Sequence, residues 1–178
     1  MKTMRKNTAI VLMGVSGCGK STIGVRLARK LDRDFLEGDT FHPAANVEKM
    51  SRGVPLDDDD RRPWLVAIAD AIDAARKSGR KVVVTCSALK RSYRRILAAG
   101  HEDVAFVFLK GSQDLIAQRL AGRAGHFMPP RLLDSQFAAL EEPGTDEGST
   151  VMTIEHTPDQ IVDAIAAMFA ADAGGVRS

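Results

Sequence analysis

The sequence predicts an α/β domain of three layers, a five-stranded parallel sheet with helices on both faces. Short apolar runs rich in Val, Ile and Phe alternate with segments of helical period along most of the chain, the pattern of successive strand–helix–strand units. The run Val82-Val83-Val84 contains no polar residue, as expected of a strand buried on both faces. With 178 residues, 44% hydrophobic and 27% charged, the chain suits one soluble domain with a sizeable core. Residues 1–178 therefore read as a single domain.

The first strand is expected at 8–13, and a helix at 21–31 follows, with Ile23, Leu27 and Leu31 at i, i+4 and i+8. A short strand at 35–37 precedes a helix at 42–51, where Pro43 suits the first turn and Gly53 lies just past the end. The four acids Asp57, Asp58, Asp59 and Asp60 would repel one another inside a helix. In front of one they suit the positive end of its macrodipole. That helix runs to about residue 78, burying Trp64, Ile68, Ala71, Ile72 and Ala75.

The third strand is expected at 81–86, a basic helix at 90–99, the fourth strand at 104–109, and a helix capped by Ser112 to about 120. Residues 122–130 combine Gly, Pro and basic side chains as a mobile flap, with a helix following through 140. A polar loop at 141–149 leads to a fifth strand at 151–154. Thr157, Pro158 and Gln160 open the last helix in a capping-box pattern. The tail from about 173 to 178 is expected to be disordered.

The formal charge of +2, with basic residues scattered along the chain, argues against a nucleic-acid partner. Cys18 and Cys86 do not make a disulfide scaffold, so a reducing cytoplasm is the expected setting. The basic start at 1–6 and the apolar run at 8–15 superficially resemble a signal peptide, but the run continues into a glycine-rich motif needed by a mature protein. No run approaches the roughly 18 apolar residues of a membrane span.

That motif is Gly14-Val15-Ser16-Gly17-Cys18-Gly19-Lys20-Ser21, followed by Thr22, a full match to G-x-x-x-x-G-K-[ST], the Walker A pattern. Glycines let successive backbone N–H groups turn inward around phosphate oxygens, and the next helix offers its positive N-terminus. Lys20 is expected to reach the β- and γ-phosphates of ATP, and the Ser21 hydroxyl to ligate Mg²⁺. A chance match at four fixed positions would occur in under about 1% of such chains, and here a strand precedes the motif and a helix follows. Cys18 holds a variable position, where a small filler is expected. The sheet is therefore expected to belong to the P-loop kinase fold. The third strand ends in Thr85-Cys86-Ser87 without the Asp of switch-type nucleotidases, which points to small-molecule kinases instead.

The second strand ends Leu36-Glu37-Gly38-Asp39. Two carboxylates two residues apart share one strand face, which would set Glu37 near the magnesium shell and Asp39 against an acceptor hydroxyl, whose proton it accepts. A plain solvated turn is the alternative. The end of a strand beside the phosphate loop is where ligands sit in open α/β sheets.

These segments resemble the gluconokinase family, related to shikimate and nucleoside monophosphate kinases. The matching stretches include 11–22, Gly38-Asp39 with His42-Pro43, 46–50, Pro55-Leu56, 58–61, Pro63-Trp64, 86–90 with Tyr93-Arg94, 109–111, and Gly125-His126-Phe127. They run in order over nearly the whole chain. Glu37 departs from the pattern, where Asp is expected in many relatives. The resemblance implies ATP-dependent phosphorylation of D-gluconate at its terminal hydroxyl, giving 6-phospho-D-gluconate, by an enzyme that is often a homodimer.

A sugar acid calls for basic groups in the acceptor pocket. Lys49, Arg52, Arg61, Lys90, Arg91 and Arg94 lie in segments that should flank it, spanning about 39–64 and the start of the basic helix; each is otherwise a solvated charge. Lys49, Arg61 and Arg91 are the candidates for the carboxylate, with His42 and Ser87 for sugar hydroxyls, although His42 would equally serve as packing beside Pro43. Arg119 and Arg123 lie four apart and lead into the flap. A lid over about 119–135 would bring arginine charge and exclude water, with Arg119 near phosphate or adenine and Arg123 at the reacting phosphate; a solvated helix end is the alternative. Thr157-Pro158 resembles the loop that borders adenine in related kinases. A kinase for another hydroxy acid such as shikimate, a non-catalytic nucleotide-binding module and a nucleic-acid-linked ATPase are the competing readings. Intact Lys20, Ser21 and Asp39 argue against the second, and the near-neutral charge against the third.

Overall fold

The computed structural model describes residues 7–122 and 130–170. Arg123, His126 and Phe127 of the expected lid, and the tail from Ala173, lie outside the described residues.

Five parallel strands form one sheet in the order β2-β3-β1-β4-β5. They are β1 Ala9–Met13, β2 Asp34–Glu37, β3 Val82–Thr85, β4 Val104–Lys110 and β5 Thr150–Thr153. The helices are α1 Lys20–Leu31, α2 Ala44–Ser51, α3 Asp58–Lys77, α4 Arg91–Ala98, α5 Gln113–Ala121, α6 Pro130–Ala139 and α7 Pro158–Phe169. The expected five-stranded parallel sheet flanked by helices is what forms.

Alternation along β1 divides the core into the two outer layers. Ile10 and Leu12 pack with Ile23 and Leu27 of α1 and Ile161 and Ile165 of α7. Ala9, Val11 and Met13 face Trp64, Leu65, Ile68 and Ile72 of α3 and Leu97 of α4. Every residue of β1 is fully buried, because the strand is central and covered on both faces.

Two local expectations are corrected. Asp58, Asp59 and Asp60 do not precede α3 but form its first turn. Asp57 is the N-cap: its carboxylate accepts from the Asp60 N–H at 2.7 Å, and Asp60 returns the bond to the Asp57 N–H at 3.1 Å. The helix dipole and this reciprocal cap offset the repulsion among the acids. The helix expected from residue 42 starts at Ala44, because Gly38–Phe41 coil into a 3-10 turn.

Candidate active site

The phosphate loop leaves β1 at the centre of the sheet and enters α1 at Lys20. Gly14 has φ 146°, and a Cβ there would sit 2.9 Å from the Leu109 carbonyl oxygen of β4, so the loop leaves the sheet only through a residue without a side chain. The Gly14 N–H donates to the Ser87 carbonyl at 3.2 Å, tying the loop to the end of β3. Lys20 Nζ donates to the carbonyls of Gly14 and Val15, each at 3.0 Å. Ser21 and Thr22 are exposed on the first turn of α1. Cys18 is buried, which suits a filler. Cys86 is also buried, and desolvation pushes its thiol up to about 12.

Beside the loop opens a cleft of about 450 Å³, lined by Ser16, Lys20, Asp39, His42, Arg61, Trp64, Ser87 and, from α6, Leu132, Ser135 and Gln136. The structure thus brings Lys20, Asp39, His42, Arg61 and Ser87 to one cavity. Asp39 is exposed there, but β2 ends at Glu37 and Asp39 belongs to the 3-10 turn. The expected sharing of one strand face by the two carboxylates is therefore corrected. Glu37 Oε1 accepts from the Thr85 hydroxyl at 2.5 Å.

Gly38 is the hinge between them. Its N–H donates to Thr85 Oγ1 at 3.0 Å, and its carbonyl accepts from the Trp64 indole at 2.8 Å. A Cβ on Gly38 would fall 1.8 Å from the Thr85 carbonyl oxygen, a clash no side-chain motion relieves. The Trp64 bond fixes the Asp39 turn to α3. Trp64 also stacks on His42, with centroids 4.1 Å apart and planes 14° off parallel. Asn46 Nδ2 lies 3.3 Å from His42 Nδ1 and donates to the Asp60 carbonyl at 2.8 Å. Burial lowers the His42 pKa, against an opposing pull from Asp39, so the ring is neutral at pH 7.

Arg61 is 91% buried (9% exposed), yet its Nε and Nη1 have no hydrogen-bond partner among the described residues. Its guanidinium carbon stands 5.5 Å from the centroid of the Tyr93 ring. A second cavity of about 510 Å³ adjoins the cleft, sharing Pro55, Leu56, Arg61 and Ser135 with it. Tyr93 and Lys90 line that annex and both bond Asp58, Lys90 at 2.9 Å. Burial, with the bond to Asp58 second, pushes the Tyr93 hydroxyl up to about 12.

The other cations are placed elsewhere. Lys49 grips both oxygens of Asp60 at 2.9 Å, Arg91 pairs with Asp146, and neither lines the cleft. Arg94 is 97% buried (3% exposed) against Glu147, at 2.7 Å, and holds the carbonyls of Ala88 and Leu89. Arg119 Nη2 donates to the Ile154 carbonyl at 2.6 Å, at the end of β5 and near the loop from which Pro158 opens α7. Gln136, Ser135 and Trp64 line the cleft without having been singled out as site residues from the sequence. Trp64 was legible only as a core residue; Gln136 carried no signal, since its partner lies 120 residues away.

The Ser21 hydroxyl lies on the first turn of α1, and the carboxylates of Glu37 and Asp39 stand at and just past the end of β2. Such a donor set suits a hard cation like Mg²⁺, and no cluster of three His, Cys, Asp or Glu side chains forms a metal cage among the described residues. A magnesium ion carried by nucleotide phosphates keeps most of its other ligands as water, so few protein oxygens are required. The residues present therefore fit the ion.

Residues 10–143 match the family model described as an AAA domain. The chain is 47% identical over 163 residues to the gluconokinase of Gluconobacter oxydans, covering 92% of each. Its fold superimposes on the crystal structure of a sugar kinase from a Janibacter species with a TM-score of 0.88 at 40% identity, covering 96% of this chain and 99% of that one. It superimposes on a gluconokinase from Sinorhizobium meliloti with a TM-score of 0.84 at 45% identity, covering 94% of each.

Proposed function

The chain belongs to the gluconokinase family, and on that premise we propose that it transfers the γ-phosphoryl group of ATP to the terminal hydroxyl of D-gluconate. The products are 6-phospho-D-gluconate and ADP. The observation that carries the substrate is Arg61, a buried guanidinium with two unpartnered nitrogens, Nε and Nη1, in the same cleft as Lys20 and Asp39. Buried donors left without acceptors are costly, and an anion entering the cleft relieves that cost. Gluconate carries a carboxylate at one end of its chain and a primary hydroxyl at the other, so it satisfies Arg61 and Asp39 together. Glucose supplies the hydroxyl without the anion.

Asp39 accepts the proton as the acceptor oxygen bonds to phosphorus and the bridge to ADP breaks. Lys20 bonds the Gly14 and Val15 carbonyls and has a further ammonium donor for the phosphates, within the cradle of Gly14, Val15, Ser16, Gly17, Cys18, Gly19, Ser21 and Thr22. Bound Mg²⁺ supplies charge neutralisation at the phosphates, and Ser21 with Glu37 would hold it. His42 and Ser87 hydrogen-bond sugar hydroxyls. Arg119 and Pro158 border the nucleotide, and Arg123, assigned from sequence alone, adds charge at the transferred group. The assembly is a homodimer and the setting the cytoplasm; no helix among the described residues is long and apolar enough to cross a membrane.

A coupled ADP-release assay over gluconate, other sugar acids, glucose, shikimate and nucleosides tests the reading. Gluconate should exceed glucose in kcat/KM by about ten-fold or more, the worth of one charge-assisted contact. Equal values would refute sugar-acid recognition and leave the kinase intact. ATP consumption with none of the acceptors would instead favour a non-catalytic module.

A further inference from the structure

One buried residue in the connection from β3 to α4 holds a backbone conformation that its side chain opposes. Among the described residues, three other than glycine have positive φ: Asp32, Ala88 and Ala99. Asp32 and Ala99 are the C-caps of α1 and α4, where a left-handed residue is an ordinary helix end. Ala88, at φ 44°, is fully buried and ends no helix. The left-handed region is disfavoured for alanine, so its surroundings must hold it there. The turn sends Ala88 into the core layer of Trp64 and Tyr93, and Leu89 into the opposite layer with Ile23 and Leu27. Ser87, just before them, lines the cleft, and its carbonyl accepts from the Gly14 N–H.

The clamp on this turn is Arg94, whose guanidinium folds back from α4. Its Nη1 donates to the carbonyls of Ala88 at 3.0 Å and Leu89 at 3.4 Å. The other edge grips both oxygens of Glu147, Nε at 2.7 Å and Nη2 at 3.0 Å. Glu147 closes the 3-10 turn Thr145–Glu147 and also accepts from the Gly144 N–H at 2.8 Å. From the same loop the Glu141 N–H donates to the Leu89 carbonyl at 2.8 Å. A rigid fork of donors can serve a carboxylate on one edge and carbonyls on the other, which the single ammonium of a lysine does not reproduce.

We propose that Arg94, held by Glu147, is a positioning residue that fixes Ala88 in its left-handed turn and so aims Ser87 into the cleft. Arg94 touches neither substrate; it stands behind the acceptor wall and acts through the backbone of residues 88 and 89. Without the clamp Ala88 relaxes toward negative φ, and Ser87 turns with it because the two share a peptide. Glycine at position 88 has no Cβ to oppose the turn, so it keeps the aimed geometry accessible without the clamp. The inference rests on the reading of Ser87 as a contact of the sugar acid.

Steady-state kinetics of the full chain, with a crystal structure of the variant, test this. Arg94→Met should raise the gluconate KM about five- to thirty-fold, the population cost of a left-handed residue other than glycine. The ATP KM, linked to Ser87 through the Gly14 bond, should rise less. Ala88→Gly alone should stay within about two-fold of the parent, and adding it to Arg94→Met should return the gluconate KM to within about three-fold. A residue that merely supported the fold would lower the melting temperature, and glycine, which removes a buried methyl, would deepen that loss without restoring KM. Arg94→Lys keeps a charge for Glu147; it should show the same rise and the same rescue on a smaller scale, and serves if the Met variant does not fold. In the crystal structure of the variant Ala88 should have negative φ. An unchanged KM, no recovery with glycine, or Ala88 still at positive φ overturns the proposal. If the parent does not turn over gluconate, the acceptor reading fails instead, and the crystal structure decides this inference by itself.

Discussion

The phosphate wall of the cleft is one continuous stretch, residues 14–21 between β1 and α1, whereas the acceptor wall gathers Asp39 and His42, Arg61 and Trp64, Ser87, and the 132–136 face of α6 from four separate segments. The first is continuous in the chain, and its groups follow from glycine positions and a helix start, with Ser87 and Gln136 bracing it from outside. The second is held by side chains: the Trp64 indole on the Gly38 carbonyl, the His42 stack, the Asn46 amide on α3 and the Gln136 carboxamide on Ser16. A contiguous wall tolerates change in the remainder of the chain. An assembled wall transmits it, because moving one segment re-aims the others.

Substitutions at the phosphate wall should remove chemistry and leave the fold. Lys20→Ala is expected to lower kcat/KM by about 10³-fold or more, as for loss of a principal phosphate charge. Its melting temperature should stay near that of the parent, since among the described residues Lys20 bonds only two loop carbonyls and the Cys18 sulfur. Near-normal turnover would break the assignment of the loop.

Asp39→Asn keeps the shape of the 3-10 turn and removes its charge. We expect kcat to drop by about 10²–10⁴-fold, the range for a lost general base, with ATP affinity held within about two-fold. Turnover within a few-fold of the parent would make Asp39 a turn residue only.

Arg61→Met sharpens the contrast between the walls, because it should separate binding from stability. The apparent gluconate KM should rise about ten-fold or more with little change for ATP. Stability without substrate should be unchanged or higher, since the substitution removes a buried charge whose Nε and Nη1 are unpartnered. Lys49→Met and Arg91→Met, whose cations are held by Asp60 and Asp146, should shift the gluconate KM by less than about three-fold, as surface charges do. A larger effect at either than at Arg61 would reassign the carboxylate contact.

The smallest effect concerns pH. Burial depresses His42 below its usual value of 6.5, so below that pH the unfolded chain takes up a proton that the folded ring resists. The His42 contribution is therefore complete above pH 6.5 and is lost as pH falls from there toward the folded pKa. Asp39 opposes the shift and Arg61 adds to it. Between pH 7 and 5, the melting temperature of the parent should fall further than that of His42→Phe, which keeps a ring on Trp64. Equal losses would show that the stack does not resist protonation.

The phosphate loop was legible because its chemistry lies in consecutive residues: glycines, Lys20 and Ser21 need only the strand before them and the helix after them. The five strands were legible for a similar reason, since Val82, Val83 and Val84 declare burial on both faces without reference to a partner. Asp39 was singled out by its place at a strand end and lines the cleft, although the two-residue alternation that linked it to Glu37 stops where Gly38 meets Thr85. Tertiary structure alone decided which cation faces the cleft. Lys49, Arg61 and Arg91 are all cations in the sequence, and Asp60 and Asp146 neutralise two of them while the third, on α3, is buried. Gln136 was beyond any sequence pattern, because its bond to Ser16 spans 120 residues and exists only once α6 lies against the loop. Local backbone chemistry can be read from neighbours in the chain, but the pairing of side chains across a cleft depends on distances that only the packed layers set.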